Sequence, residues 1–186
     1  MKDLSLHILD IAENAVRAGA ALTDIRIDET ADTLTLTVAD DGCGMEADTV
    51  RRVTDPFFTT RKTRSVGMGL PLLKQAAEQT GGRVTVTSRP AAAGSRKHGT
   101  VITAVFCTGH IDCPPLGDPA ETLVTLLQGH PDLDFRLCHR RPDAPPVKLD
   151  TRVLRRLLTG VPLSRFEVLQ WVRNELRLQY AASGRE

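Results

Sequence analysis

The stretch "DPFFTTRKTRSVGMGLPLLKQAAEQTGG", residues 55–82, joins a basic segment, two spaced glycines and an apolar helical pattern. Gly67 and Gly69 stand where the basic segment passes into the predicted helix, and Pro71 falls in its first turn, where proline is tolerated. The unpaired backbone amides and the dipole of a helix start bind phosphate well. The stretch therefore predicts a phosphate-binding backbone from Gly67 to Leu70.

The basic segment before these glycines has the composition of an anion-binding loop. Arg61 and Lys62 lie in it, and Phe58 precedes them as an apolar anchor for one end of the loop. The Gly-x-x-x-x-Gly-Lys-Ser/Thr pattern of a P-loop is missing. Taken alone, the segment is better explained as a charged surface turn that leads into a helix.

A second candidate region is the polar face of the first predicted helix, residues 4–18. Asp10, Glu13 and Asn14 follow one another at steps of three and one, on the side opposite the apolar positions. An amide oxygen can ligate a hydrated cation, and a carboxylate four residues earlier can orient or deprotonate water. The alternative is a solvated helix face.

Two strand ends complete the candidate site. Asp40, Gly42 and Gly44 form an Asp-x-Gly-x-Gly pattern where a strand ends, and Thr100 opens a later strand. A carboxylate there can accept a hydrogen bond from an exocyclic amine, and glycines beside it let a flat ring approach the backbone. A simple glycine turn and a simple strand start are the alternatives.

The rest of the sequence predicts the order of the helices and strands and a boundary between two units. Alternating apolar residues predict paired antiparallel strands within residues 23–40 and again around the glycine-rich loop at 90–98. A region rich in proline and glycine begins at Thr108 and suggests a boundary. We therefore expect a nucleotide-sized αββααββ domain over residues 1–107 and a small α+β extension over 108–186, containing a hairpin and three helices.

Five stretches occur in an order that is typical of one superfamily: "ENAVRAGA", "DDGCGM", "DPFFTTRK", "VGMGLPL" and "GTVITAVF". They resemble the N, G1, F, G2 and G3 boxes of the ATPase superfamily of gyrase, the ninety-kilodalton heat-shock chaperone, histidine kinases and the mismatch-repair ATPase. The resemblance covers residues 4–107. It implies an α+β fold, the two-layer Bergerat α/β sandwich with a mixed and mainly antiparallel sheet, and it implies ATP and Mg²⁺ as ligands.

The resemblance also implies roles for single residues. Asn14 resembles the magnesium ligand and Asp40 the acceptor for the adenine amine. Gly42 and Gly44 resemble the adenine-side glycines, Gly67 and Gly69 the phosphate-side glycines, and Thr100 the adenine-associated threonine. Hydrolases of the superfamily carry a water-activating glutamate four residues before the asparagine; here Asp10 stands there, and Glu13 is the second candidate base.

Within the superfamily, two branches compete for the resemblance. "ENAVRAGA" and "DDGCGM" are similar to the mismatch-repair side, whereas residues 55–82, with a short lid, are similar to the histidine-kinase side. The longer stretch favours the kinase side. Residues 1–107 leave no room for the helical hairpin that carries a kinase's phosphoacceptor histidine, and His7 lies inside the nucleotide-domain helix, where a structural role is expected.

Composition limits the classes of partner. Lys and Arg number 24 against 23 for Asp and Glu, and this balance argues against a protein that coats nucleic acid or an anionic membrane. No signal peptide or transmembrane run is present. We therefore expect a cytoplasmic location with no nucleic-acid or membrane partner, while a homodimer is compatible with the resemblance.

The extension carries two further candidates. Its potential metal ligands are Cys107, His110, Cys113, Cys138 and His139, which match no named zinc or cluster spacing. Its last helix, residues 164–180, mixes apolar residues and Trp171 with arginines. Packing on the extension's own strands is the expectation for this helix, and docking of a partner protein is the alternative.

These observations favour an ATP–Mg-binding regulatory protein: an ATPase or a protein-kinase-like phosphotransferase without its own phosphoacceptor domain. A non-catalytic module that ATP merely orders is the second hypothesis. A metal or redox sensor built on the extension's cysteines is the third. The sequence leaves the partner, the oligomeric state and the choice among hydrolysis, phosphotransfer and binding open.

Overall fold

A computed structural model describes residues 2–55, 69–92, 98–182 and 184. In these ranges the helices and strands, in chain order, are α1 (Leu4–Arg17), β1 (Leu22–Glu29), β2 (Thr33–Asp40), α2 (Ala47–Arg52), α3 (Gly69–Gln79), β3 (Arg83–Arg89), β4 (Gly99–Cys107), α4 (Pro119–Gly129), β5 (Asp134–Arg140), β6 (Val147–Asp150), α5 (Thr151–Leu157) and α6 (Phe166–Ala182).

The strands form one open sheet in the order β3-β4-β2-β1-β5-β6. β1 and β5 are parallel, and the other neighbouring pairs are antiparallel. The predicted mixed, mainly antiparallel sheet of an α/β sandwich is therefore confirmed. Alternation along the strands explains the layering: in β2 the residues Leu34, Leu36 and Val38 are buried, while the threonines between them are half-exposed.

One core holds the sheet and the helices together. Phe106 of β4 and Phe135 of β5 are fully buried in the same apolar cluster as Ile8 of α1. Local signals fix the helix starts: Asp3 caps α1 by accepting from the backbone N–H of Leu6, and Asp118 caps α4 in the same way.

The region after residue 107 continues this sheet and core. β5 lies beside β1, with Ile25 opposite Leu137, and β5 and β6 form the predicted hairpin. The start of α1 is also bonded to it, because the Ser5 hydroxyl donates to the carbonyl of Leu116 at 2.7 Å. The division at residue 107 stays a prediction, and the structure adds that strand pairing crosses it.

The last helix packs mainly as expected. Val172 and Leu176 of α6 are fully buried against α4 and the sheet, whereas Trp171 is half-exposed. The Gln179 amide oxygen accepts from the backbone N–H of Lys148, which covers part of the β6 edge. Among the described helices, none has the length and apolarity that a membrane span requires.

Candidate functional site

A cleft of about 530 Å³ opens between α1, the start of α3 and the ends of β2 and β4. This volume is within the range of small-molecule pockets. The cleft brings together six of the residues predicted for the site: Asn14, Asp40, Gly44, Gly69, Leu70 and Thr100. They come from distant parts of the chain, and the antiparallel sheet places them at one end of the fold.

Asp40 and Thr100 lie directly opposite each other on the paired strands β2 and β4, and Ser88 lies opposite Thr100 on β3. The Ser88 and Thr100 hydroxyl oxygens are 2.9 Å apart, and Ser88 Oγ accepts from the backbone N–H of Met45. Three polar side chains thus form a row across three strands. Asp40 and Thr100 line the cleft and can face the edge of a planar ring, while Ser88 holds the Thr100 hydroxyl from behind.

The Asp40 carboxylate is held close to its own turn. Its Oδ1 accepts from the backbone N–H of Gly42 at 2.9 Å. Burial raises the pKa of Asp40 above the ordinary aspartate value, although the backbone N–H groups of Gly42 and Thr100 act in the opposite direction. The carboxylate is therefore a partly desolvated acceptor.

The glycines of this turn are required by packing. Gly44 has φ +68°, and a Cβ there would lie 1.9 Å from the carbonyl oxygen of Arg89. A Cβ on Gly42 would lie 2.8 Å from the Ala18 side chain of α1. The two glycines therefore let the turn after β2 lie against both β3 and α1, which shapes this wall of the cleft.

Asn14 of α1 lines the cleft. Its Oδ1 accepts a hydrogen bond from the Arg17 guanidinium at 2.5 Å. Arg17, which also lines the cleft, is not among the predicted site residues. The predicted magnesium ligand therefore has a cationic neighbour one turn along the same helix.

The two predicted base residues have different surroundings. Asp10 points towards the start of α3, because a Cβ added to Gly69 would lie 1.6 Å from its Oδ2. Glu13 points towards α4, where its Oε1 lies 2.8 Å from Nε2 of His130. Neither carboxylate lines the cleft within the described ranges. Their catalytic roles stay predictions.

Several residues of the site were missed by sequence reasoning. The alternation of "RVTVTSR" places Ser88 on the face of Val84 and Val86, so a signal for it existed. No comparable signal marked His98, whose Nδ1 donates to the carbonyl of Gly42 at 2.7 Å. That bond joins the start of β4 to the glycine turn, and the contact depends on tertiary structure.

Four predicted site residues, Phe58, Arg61, Lys62 and Gly67, lie outside the described residues. Their roles in an anchor, a basic lid and a phosphate cradle stay predictions. His7 is described and is buried, as expected for a structural residue. Burial lowers the pKa of His7, which favours the neutral imidazole.

The extension's cysteines and histidines do not converge. His139 is fully buried, with Nε2 2.8 Å from Glu29 Oε1 and Nδ1 3.1 Å from the Tyr180 hydroxyl. Burial, followed by the charge of Cys107, raises the pKa of Cys113, which disfavours the thiolate that a metal requires. In the ranges that the structure covers, no three His, Cys, Asp or Glu side chains are grouped to hold a metal ion.

Comparison with known proteins agrees with this geometry. Residues 2–109 match the family model described as "Histidine kinase-, DNA gyrase B-, and HSP90-like ATPase". The chain belongs to this ATPase family. The match includes α1 with Asn14, the Asp40 turn and β4 with Thr100, so the family's region of the chain contains the cleft.

Two curated proteins named as kinases are similar to part of this chain. A Bacillus subtilis (strain 168) protein named "Probable C4-dicarboxylate sensor kinase" is 39% identical over 92 residues, which cover 46% of this chain and 17% of that protein. The signal transduction histidine-protein kinase AtoS of Escherichia coli (strain K12) is 35% identical over 86 residues, which cover 45% of this chain and 14% of that protein. The chain thus spans less than a fifth of either relative.

A solved structure supports the fold over the whole chain. The N-terminal domain of a DNA repair protein superposes with a TM-score of 0.59 and 12% identity, covering 100% of this chain and 57% of that one. A mycobacterial sensor histidine kinase, MprB, matches with a TM-score of 0.43 and 25% identity, covering 54% of this chain and 67% of that one. The first similarity extends the shared fold beyond residue 109 to the strands β5 and β6.

Proposed function

We propose that this chain binds ATP with Mg²⁺ and acts as a regulatory switch, either as an ATPase or as a protein-kinase-like phosphotransferase whose phosphoacceptor lies on a partner. The pair formed by Asp40 and Thr100, which lie opposite each other on β2 and β4 at the wall of the cleft, carries the proposal. Family membership supports it, because the matched region contains this wall.

The residues of the cleft fit a nucleotide in chemistry and in size. Asp40 offers a partly desolvated carboxylate acceptor for an exocyclic amine, and the Thr100 hydroxyl, which is bonded to Ser88, lies beside it. The cleft of about 530 Å³ accommodates a ligand of nucleotide size. This wall would therefore hold the adenine end of ATP.

The opposite wall fits a metal–phosphate group. The Asn14 amide oxygen is a hard ligand of the type that Mg²⁺ accepts, and the backbone at the start of α3, from Gly69, offers N–H groups to phosphate. When bound, ATP supplies the γ-phosphoryl group. Asn14 would hold the metal, and the α3 start would orient the phosphates.

The choice between turnover and binding depends on the carboxylates near Asn14. Asp10 stands one helical turn before Asn14 and is the candidate to hold a water or a partner's hydroxyl. Glu13 is occupied by His130, which favours the second candidate function, a module that binds ATP and changes its docking surface without turnover. We propose turnover through Asp10 as the first function.

The two parts of the chain have different roles in this proposal. We place residues 1–107 as the nucleotide-binding unit and residues 108–186 as the part that connects nucleotide state to a protein partner. The half-exposed Trp171 of α6 is the candidate docking residue. A cytoplasmic location and a homodimer belong to the same proposal.

Calorimetric titration with Mg-ATP tests the nucleotide assignment. We expect Asp40→Asn to weaken binding by about tenfold or more, since the amide replaces an acceptor-only group with one that also donates. Asp32→Asn is the matched control, because Asp32 is exposed in the β1–β2 turn at the other end of the sheet. Unchanged affinity in Asp40→Asn would rule out the assignment.

Incubation with γ-labelled ATP, with and without cell extract, separates the candidate functions. Free phosphate indicates hydrolysis, and a labelled protein band indicates phosphotransfer. Intact ATP together with measurable binding indicates the non-catalytic module. Asp10→Asn should abolish turnover and preserve binding if Asp10 acts on water or on a hydroxyl.

A further inference from the structure

A chain of polar contacts connects α4 to the predicted magnesium ligand. His130 Nε2 lies 2.8 Å from Oε1 of Glu13, and Oε2 of Glu13 lies 3.9 Å from Nη1 of Arg17. The same Arg17 guanidinium donates through Nη2 to Oδ1 of Asn14 at 2.5 Å. Glu13, Asn14 and Arg17 belong to α1, whereas His130 follows the region that matches the ATPase family.

His130 is held in place independently of Glu13. It is the C-cap of α4, and its backbone N–H donates to the carbonyl of Leu126, which is fully buried. A carboxylate only accepts hydrogen bonds, so the His130 ring donates through Nε2. The side chain of Glu13 is therefore tied to a donor whose backbone is fixed at the end of α4.

Arg17 has two acceptors within its reach. Glu13 and Arg17 have the i, i+4 order in which an acidic residue precedes a basic one, the favourable orientation for an ion pair on a helix. At 3.9 Å this pair is loose, while the bond to Asn14 is short. His130 is bonded to Oε1 of Glu13, so the loose pair with Arg17 is made through the other oxygen, Oε2.

The contact with Arg17 opposes a cation at Asn14. A divalent metal would share Asn14 Oδ1 with the hydrogen bond from the guanidinium, and it is repelled by the positive charge beside it. Metal binding at Asn14 is therefore stronger when Arg17 moves away from it. Glu13 is the acceptor to which it can move, provided that the carboxylate is released by His130.

We infer that His130 is a positioning residue that weakens Mg²⁺ binding at Asn14, by holding Glu13 so that Arg17 stays on the Asn14 oxygen. The inference rests on the proposed function, since it takes Asn14 as the magnesium ligand. It assigns to the region after residue 109 a direct influence on the nucleotide site. Movement of α4 on binding a partner would then change the Mg²⁺-dependent part of ATP affinity.

The test measures the dissociation constant for ATP with Mg²⁺ and with EDTA, at low ionic strength, for the full chain and for His130→Ala. We expect His130→Ala to bind Mg-ATP about threefold more tightly, with metal-free ATP binding unchanged. The gain should shrink at high salt, because surface ion pairs are screened. A variant that merely disturbs folding would lose affinity under every condition.

Three further variants sharpen the test. His130→Gln retains an N–H donor for Glu13 and should behave like the unaltered chain. Gln128→Ala changes an exposed residue at the same end of α4 and should have no effect. Glu13→Gln removes the charge that attracts Arg17, so adding His130→Ala to it should give no further gain.

The possible outcomes separate the inference from the proposed function. If the unaltered chain does not bind Mg-ATP, the proposed function fails, and the inference fails with it. If it binds, and His130→Ala shows equal or weaker affinity, the inference alone is overturned. An equal gain with and without Mg²⁺ also overturns it, because the effect would then not pass through Asn14.

Discussion

The backbone of Gly69, at the start of α3, lies directly against the carboxylate of Asp10 on α1. A Cβ added to Gly69 would be 1.6 Å from Oδ2 of Asp10. This oxygen is buried and has no hydrogen-bond partner among the described residues. The contact brings the candidate base and the candidate phosphate cradle to one place.

Gly69→Ala is therefore expected to destabilise the protein, by about 1 to 3 kcal/mol, as overpacking of a close contact does. Denaturation with urea measures the change in the free energy of unfolding. Gly129→Ala is the matched control: Gly129 also lies in a helix, no atom lies within 4 Å of its added Cβ, and alanine there should be neutral or stabilising.

The cause of the Gly69 effect can be tested by removing the carboxylate. The double variant Asp10→Ala, Gly69→Ala should be more stable than Gly69→Ala alone, since the added methyl group then has room. A double variant as unstable as the single one would show that the Asp10 contact is not the reason.

A second prediction concerns Asp24, which joins β1 to β5. Its buried carboxylate accepts from Arg26 on its own strand at 2.8 Å and from Arg136 on β5 at 2.8 Å. Burial alone would raise the pKa of Asp24, but hydrogen bonds from Arg136 and Arg26 outweigh it and hold the pKa below the ordinary value. Asp24→Asn should therefore lower the free energy of unfolding at pH 7 by about 2 kcal/mol.

The pH dependence of this effect has a definite sign. The folded-state pKa of Asp24 is lower than its unfolded-state pKa, so the ionised carboxylate stabilises the fold. This contribution is fully present at pH values above the ordinary aspartate pKa of about 4. That contribution is lost as the pH falls through the folded-state value. In urea denaturation, the difference in the free energy of unfolding between Asp24→Asn and the unaltered chain should become smaller at acidic pH.

Asp28→Asn is the control on the same strand. Asp28 pairs with Arg140 at 3.1 Å, but both side chains are substantially exposed, so the pair should contribute about 0 to 1 kcal/mol. A loss in Asp28→Asn as large as that in Asp24→Asn would contradict the role given to burial.

Local patterns were enough to predict most of the elements. The spacing of Leu4, Ile8 and Ile11 predicted α1, and the alternation in "TLTLTVAD" predicted β2, because burial on one face leaves a period in the sequence. The Asp40 and Thr100 strand ends were selected by the order of the family's motifs, and the structure pairs them across β2 and β4.

Contacts between distant segments were not predictable in the same way. "DFRLCHR" has the pattern of a strand, but nothing in it identifies β1 as its parallel neighbour. The bond between Glu13 and His130 joins residues 117 positions apart. Both depend on the path of α4 across the sheet, which is a tertiary property, and the expectation of a separate extension could not include them.

A third prediction separates the core and surface faces of α6. Leu176 is fully buried, so Leu176→Ala should cost about 2 to 5 kcal/mol of unfolding free energy. Trp171 is 50% exposed, and Trp171→Ala should cost clearly less. Urea denaturation of both variants measures this ranking. Equal losses would assign Trp171 to the core and remove it as a docking residue.

A final prediction tests the division at residue 107. In a fragment of residues 2–109, β1 would lose its parallel partner β5, and α1 would lose its packing on α4 and the buried bond from Ser5 to Leu116. Apolar side chains of β1, such as Ile25 and Ile27, would become part of an edge strand.

We therefore expect the fragment to be less stable than the full chain, with a lower urea midpoint and a less cooperative transition. The full chain measured at the same concentration is the reference. A fragment that unfolds cooperatively at the same midpoint would contradict this expectation and would support residues 1–107 as an independent domain.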